Sequence, residues 1–221
     1  MPTKLVQGLQ KLNFPQEQIE RLAPLMESYI SELVLFNSAY NLVNTNDREE
    51  IAVRHILDSL SAARHIKALA DERAATIADI GSGGGLPGIP LAAALPQYNF
   101  ALVERMSKRC AFLENASAIL GLKNVVVKNL ELEKTPAASF DIATFRAFRP
   151  LDNKMLKSLL AVLKPGGFLA AYKARGSKIL EEMGALGYVP QDYKTIALEV
   201  PFLTDTNSGD DRERNLVVIS K

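Results

Sequence analysis

Ala75-Thr-Ile-Ala-Asp-Ile-Gly-Ser-Gly-Gly-Gly-Leu-Pro-Gly-Ile-Pro90 decides how the rest of the chain is read. Thr76 to Ile80 is a short apolar run of the length of a buried strand. It stops at Gly81, and Gly83, Gly84, Gly85 and Gly88 follow closely. Apolar residues resume from Ile89 to Leu95 at helical spacing. The pattern is strand, glycine turn, helix. Glycine in such a turn takes positive φ without steric cost and lets a ligand approach the backbone. The helix start beyond it offers free N–H groups. A second strand over 99–103 ends in Glu104, about 20 residues beyond the glycines, where nucleotide-binding folds place an acid on a ribose diol.

Three ligands suit a loop of this kind. A nucleoside-triphosphate loop needs Lys-Ser/Thr after its last glycine, and Gly88 is followed by Ile89 and Pro90. A dinucleotide fingerprint is satisfied in letters by Gly83 to Gly88. The third form is Asp79-x-Gly81-x-Gly83-x-Gly85, the loop of S-adenosylmethionine-dependent methyltransferases. A carboxylate at the strand end suits a ligand with a cationic amino-acid moiety and is a poor neighbour for a pyrophosphate. The methyl donor is therefore favoured over NAD. A glycine-rich turn that holds nothing would lose backbone entropy with no return.

Working outward, a chain of 221 residues with 48% hydrophobic and 23% charged residues has the composition of a globular protein with a single core. No apolar run reaches membrane-spanning length, and residues 1–12 lack a signal-peptide core. Cys110 is the only cysteine, and two histidines complete a poor set for zinc. A cytoplasmic location is expected. The net charge of +1 argues against a broad basic face for bare nucleic acid and leaves a local patch or a shaped, preassembled RNA target.

Residues 3–13 and 15–38 read as helices; Ile19, Leu22, Leu25, Met26, Tyr29, Ile30, Leu33 and Phe36 give the second one apolar face. A third helix is expected over 48–68, capped by Asp47. It sets His55 and Asp58 on one face, as a catalytic dyad or, more in keeping with such spacings, a structural pair. After Glu104, a helix over 107–120 closes at Gly121, with Lys108 and Arg109 as solvated charge on its first turn. Strands follow over 124–128 and 140–145, with a loop over 129–133 between them. Arg146 and Arg149 lie just beyond the second strand, at the edge where open α/β sheets bind ligands. A helix over 151–163 stops at Lys164-Pro-Gly-Gly167, and a strand over 168–172 leads to Lys173. A helix over 177–186 and strands near 195–200 and 215–220 end the chain. This order predicts a mostly parallel sheet with an antiparallel final hairpin. It leaves no room for the second domain of a dehydrogenase, which further disfavours NAD.

Tyr40-Asn-Leu42, Arg54-His-Ile-Leu-Asp-Ser59, the run from Asp79 to Pro90, Phe140-Asp-Ile-Ala-Thr-Phe-Arg-Ala-Phe148 and Arg214-Asn-Leu-Val-Val-Ile219 resemble, in order and spacing, the bacterial RsmG (GidB) methyltransferases. The resemblance spans about residues 5–221. Two departures are Gly84, where that family often has proline, and Phe145, where it often has serine; the arginine usual near Glu131 is also missing. The resemblance implies a Rossmann-like class I methyltransferase with a seven-stranded sheet, an N-terminal helical extension (1–70) and a methyltransferase domain (71–221) in one compact unit. It implies a monomer that methylates N7 of a guanine in the decoding region (the 530 loop) of 16S ribosomal RNA of the small ribosomal subunit, with S-adenosylmethionine as donor. By position it places donor contacts on Gly81, Leu86, Leu132, Glu133 and Arg146. The glycine-loop reading adds Asp79, Gly83 and Glu104. N7 carries an in-plane lone pair and no proton, so neither a general base nor a covalent nucleophile is expected, and Cys110 has no role in the reaction. Arg146, Arg149 and Lys173 are expected to hold the RNA.

Overall fold

The computed structural model describes residues 2–71, 74–146, 151–204 and 212–221. Among them are strands β1 Thr76–Ile80, β2 Asn99–Glu104, β3 Val125–Asn129, β4 Phe140–Arg146, β5 Leu163–Lys173, β6 Lys194–Ala197 and β7 Asn215–Ser220. They form one seven-stranded sheet in the order β3-β2-β1-β4-β5-β7-β6. The first five pair in parallel. β7 runs antiparallel to both β5 and β6, as the sequence pattern predicts. The strand order reverses at β1 and β4, and ligands bind outside the carboxyl ends at such a switch point.

Both sheet faces are buried because successive strand residues point to opposite sides. Ile77, Phe100, Leu102 and Ile142 belong to one apolar cluster with residues of helices α1 (Lys4–Lys11), α2 (Gln16–Tyr40) and α6 (Gly88–Ala94). Ala78, Ile80, Ala101, Val103, Ala143 and Phe145 face α8 (Asn153–Val162) and α9 (Gly176–Ala185). The N-terminal helices therefore share one apolar cluster with the sheet. Leu9, Leu22, Met26, Tyr29 and Leu33 are fully buried there, each large side chain contributing about 1.5–3 kcal/mol. Of the face expected for the second helix, Leu25 and Phe36 are only partly buried.

Three expected elements differ. The helix expected over 48–68 is broken into α3 (Arg48–Ile51), a π-helical stretch (Ala52–Leu57), α4 (Asp58–Leu60) and α5 (Ala63–Ala70); α7 (Ser107–Ile119) is as expected. The stop at Lys164-Pro-Gly-Gly167 lies inside β5. The pairing of β4 with β5 shifts register there, between Phe140 and Ile142. Gly166 takes φ +73°, and a Cβ on Gly167 would sit 2.8 Å from the Asp141 carbonyl oxygen, so the two glycines let an irregular strand pass close to its neighbour. The strand expected near 195–200 is β6, Lys194–Ala197.

Candidate active site

The glycine turn runs off β1 at the switch point. Gly81 and Gly83 adopt φ of +71° and +56°, and the Gly81 and Ser82 N–H groups donate to the Val103 carbonyl. The turn is packed from the side by the N-terminal extension. The Tyr29 hydroxyl donates to the Gly84 carbonyl, and a Cβ on Gly84 would lie 3.1 Å from the Leu42 carbonyl oxygen. Burial, followed by the Asp79 charge, holds the Tyr29 phenol well above its ordinary pKa, so it remains a donor. Glycine, at a position where the resemblance leads one to expect proline, fits the close approach of Leu42.

Asp79 lies beneath this turn. It is 1% exposed, and its Oδ2 accepts from the Gly88 N–H at 2.9 Å, fixing the start of α6. Burial, the largest influence, pushes its carboxyl up to about 7. Its second oxygen has no hydrogen-bond partner among the described residues. Glu104, at the end of β2, is 4% exposed. One oxygen accepts from the Gly83 N–H at 3.0 Å and the other from the Met106 N–H at 2.8 Å. The carboxylate thus ties the turn to the segment that opens α7.

A cleft of about 770 Å³ opens above the turn, within the roughly 300–1,000 Å³ of small-ligand sites. Gly81, Gly83, Leu86, Glu104, Leu132 and Arg146, all singled out from the sequence, line it. Asp79 and Glu133 do not: the first is sealed under α6, and the second is exposed in the short 3-10 turn Leu132–Lys134. Leu130 and Glu131, which the sequence reading left out, line the wall beside Leu132. The backbone of the glycines, the Glu104 carboxylate and the flanking leucines line one cleft of a size that admits a nucleoside bearing an amino-acid tail.

Opposite the glycines, a buried knot joins the N-terminal segment to the sheet. Asp58, 4% exposed, pairs through Oδ2 with Arg146 Nη1 at 2.7 Å and through Oδ1 with Arg214 Nε at 3.4 Å. Arg146 Nη2 lies 3.2 Å from His55 Nδ1. His55 and Asp58 are therefore not a dyad; both hold one guanidinium. Burial, then the charges of Arg146 and Arg54, depress the His55 pKa to about 3, so the imidazole is neutral. The π-helical stretch carries His55 into this knot, in keeping with the placing of such irregularities at functional sites.

Charge is placed differently from expectation at two points. Arg146 and Lys173, expected to hold RNA, are each paired within the protein. Lys173 pairs with Glu182 at 2.7 Å and is 17% exposed in its side chain, with its ammonium over the Phe145 ring. Arg149 lies outside the described residues. Arg109, expected as solvated charge, instead lines the cleft and donates to the Asn41 carbonyl at 3.2 Å. Cys110 is buried with its thiol donating to the Glu104 carbonyl. Burial pushes that thiol up, which keeps it protonated and poorly nucleophilic.

A model of the GidB family, rRNA small subunit methyltransferase G, matches residues 22–215. The Ribosomal RNA small subunit methyltransferase G of Treponema denticola is 39% identical over 244 residues, covering 98% of this chain and 93% of that protein. The protein of the same name from Treponema pallidum is 42% identical over 186 residues, 82% of this chain and 81% of its own length. That of Neisseria meningitidis is 36% identical over 197 residues, with 88% and 86% covered. Among solved structures, a SAM-dependent methyltransferase from Aquifex aeolicus superposes with a TM-score of 0.54 at 16% identity, over 74% of this chain and 92% of its own. A SAM-dependent O-methyltransferase from Thermotoga maritima gives 0.51 at 17%, over 72% and 64%; these two speak to the fold alone. The chain belongs to the GidB family of rRNA small subunit methyltransferases, as a Rossmann-like enzyme that uses S-adenosylmethionine.

Proposed function

We propose that the protein methylates N7 of a guanine in the decoding region of 16S ribosomal RNA. The state of the cleft's own acids and bases carries this reading. His55 is neutral and engaged at both ring nitrogens. Asp58 is held by two arginines and Glu104 by two backbone N–H groups. None of these three stands ready to remove a proton, and Glu131, the remaining carboxylate among the described lining residues, is paired with Lys134 at 3.6 Å at the rim. Guanine N7 needs none removed, because its lone pair lies in the ring plane. An amine or hydroxyl acceptor would have to lose a proton as it reacts.

When bound, S-adenosylmethionine supplies an electrophilic methyl group on a sulfonium sulfur. The protein's contribution is placement. Gly81 and Gly83 admit close approach of the donor to the backbone, Leu86 and Leu132 supply apolar walls, and Glu104 accepts from the ribose hydroxyls. Glu133 follows Leu132 in the same 3-10 turn, and its own exposed side chain lies outside the lining. Asp79 acts from beneath, keeping the turn and α6 in register. Arg146, pinned by Asp58 and His55, closes the far side.

The relatives named above act, by their names, on small-subunit ribosomal RNA. For contact with phosphates, the exposed Arg105 and Lys108 at the opening of α7 are better placed than the paired Arg146 and Lys173. No described helix is long and apolar enough to cross a membrane. The same reading takes the protein as a cytoplasmic monomer in which residues 1–70 are a helical extension of a methyltransferase domain, 71–221. The test is incubation with labelled donor and small ribosomal subunits, followed by nucleoside mass spectrometry. N7-methylguanine in 16S ribosomal RNA is expected; methyl transfer to another atom, or only to metabolites, overturns the reading.

A further inference from the structure

The knot around Arg146 has a fixed hydrogen-bond polarity. A guanidinium is all donors. Arg146 Nη2 therefore donates to His55 Nδ1, and the imidazole carries its proton on Nε2. The depressed pKa of His55 secures the neutral form. The Nε2–H then points to Asn44 Oδ1, 3.3 Å away. With its oxygen engaged, the Asn44 amide presents its two Nδ2 hydrogens on the other side. Asn44 lines the mouth of the cleft and is exposed there; no hydrogen bond from its Nδ2 is made to the described residues. Asp58 anchors the opposite end of this chain through Arg146.

We propose that Asn44 is a specificity-determining residue whose side-chain amide donates to O6 of the target guanine, with His55, Arg146 and Asp58 as the positioning chain behind it. The inference rests on the guanine-N7 reading given above. A base undergoing chemistry must leave the stack, and its edge then meets the groups at the cleft mouth. Guanine shows two acceptors side by side, N7 and O6, whereas adenine shows N7 beside an N6 amino donor. A donor aimed next to the reacting nitrogen accepts guanine and opposes adenine. An arginine there would engage N7 and O6 together and occupy the lone pair that must react. A single amide serves O6 and leaves N7 free. The relay behind Asn44 keeps the amide from turning: rotation would set N–H against N–H at His55.

The experiment uses the full chain, S-adenosylmethionine and small ribosomal subunits carrying unmethylated RNA, together with subunits whose target guanine is replaced by adenine. Asn44→Ala removes the donor, and Asn44→Asp replaces it with an acceptor. On guanine, kcat/KM is expected to fall about tenfold for Asn44→Ala, the loss of one hydrogen bond. It should fall further for Asn44→Asp. Donor affinity by calorimetry and the thermal midpoint should be unchanged in both. On the adenine substrate Asn44→Asp should exceed the wild-type protein, a reversal that a merely structural residue would not produce. Unchanged guanine rates in both variants, a loss matched by lost donor affinity or stability, or no gain on adenine each overturn the proposal. A wild-type protein that makes no N7-methylguanine overturns instead the reading on which it rests.

Discussion

Replacing Glu104 by alanine tests the centre of the site, because the proposed function gives one carboxylate two tasks there. In the free protein it accepts from the Gly83 and Met106 N–H groups at 3.0 and 2.8 Å while 4% exposed. A hydrogen bond to a charged group contributes about 1.5–3 kcal/mol, so losing both sets a ceiling of about 3–6 kcal/mol. The cleft admits water to the vacated space, and water satisfies part of what is lost. We expect Glu104→Ala to lower unfolding stability by about 2–4 kcal/mol. On the proposed function the donor's ribose would lose its charged acceptor as well, a further ~1.5–3 kcal/mol, or roughly 10- to 150-fold in Kd. Glu104→Gln keeps one carbonyl oxygen and should fall between. Denaturant unfolding reads the first quantity, and calorimetry with S-adenosylmethionine reads the second. If stability falls while Kd stays at the wild-type value, the carboxylate is only a splint for the glycine turn and the ribose assignment is refuted.

Other substitutions probe the surrounding geometry. Gly88→Ala would place a Cβ 2.4 Å from Leu102 Cδ2 and 2.7 Å from Asp79 Oδ2, an overpacking that costs about 1–3 kcal/mol or more; a thermal midpoint equal to wild type would show that α6 yields. Cys110→Ser should keep full methyltransferase turnover, since a hydroxyl can replace the thiol's bond to the Glu104 carbonyl; loss of turnover in a folded variant would contradict a mechanism without a covalent nucleophile. Asp79 and His55 make opposed contributions to the pH dependence of stability. Asp79, raised from 3.8 to about 7, contributes stability that is complete below pH 3.8 and is lost as pH rises through 7. His55, lowered from 6.5 to about 3, contributes stability that is complete above pH 6.5 and is lost as pH falls through 3. Between about pH 4 and 6.5 the two slopes, each up to about 1.4 kcal/mol per pH unit, offset each other. Asp79→Asn should therefore unmask a steep loss of stability on acidification over that range, measured by denaturant unfolding; a pH profile parallel to wild type would refute the assignment of the buried proton to Asp79.

What the sequence made legible is what local rules govern. A strand followed by glycines and a helix needs only chain-neighbour chemistry, and Gly81, Gly83, Leu86 and Glu104 accordingly meet in one cleft. Alternating strands and helices, then two strands, determine a parallel sheet with an antiparallel edge by connection length alone. Charge is different, because a letter shows a sign and not the partner that answers it. Arg146 is paired with a carboxylate 88 positions away, and Lys173 with one on the following helix; read singly, both look free to bind phosphate. The π-helical stretch has the same origin. Nothing in Ala52-Val-Arg-His-Ile-Leu57 disfavours an ordinary helix, and the widened turn places His55 where Arg146 can reach both its ring nitrogen and, at 3.4 and 3.5 Å, the Arg54 and His55 carbonyls. Asp79 shows the limit of a positional rule most directly. Its place before the glycines suits a cationic ligand, yet the packing of Gly88 against it, where no side chain fits, turns the carboxylate away from the cleft and into the support of the turn. The polarity that reaches Asn44 is thus set by contacts made only once β4 and the N-terminal segment have met.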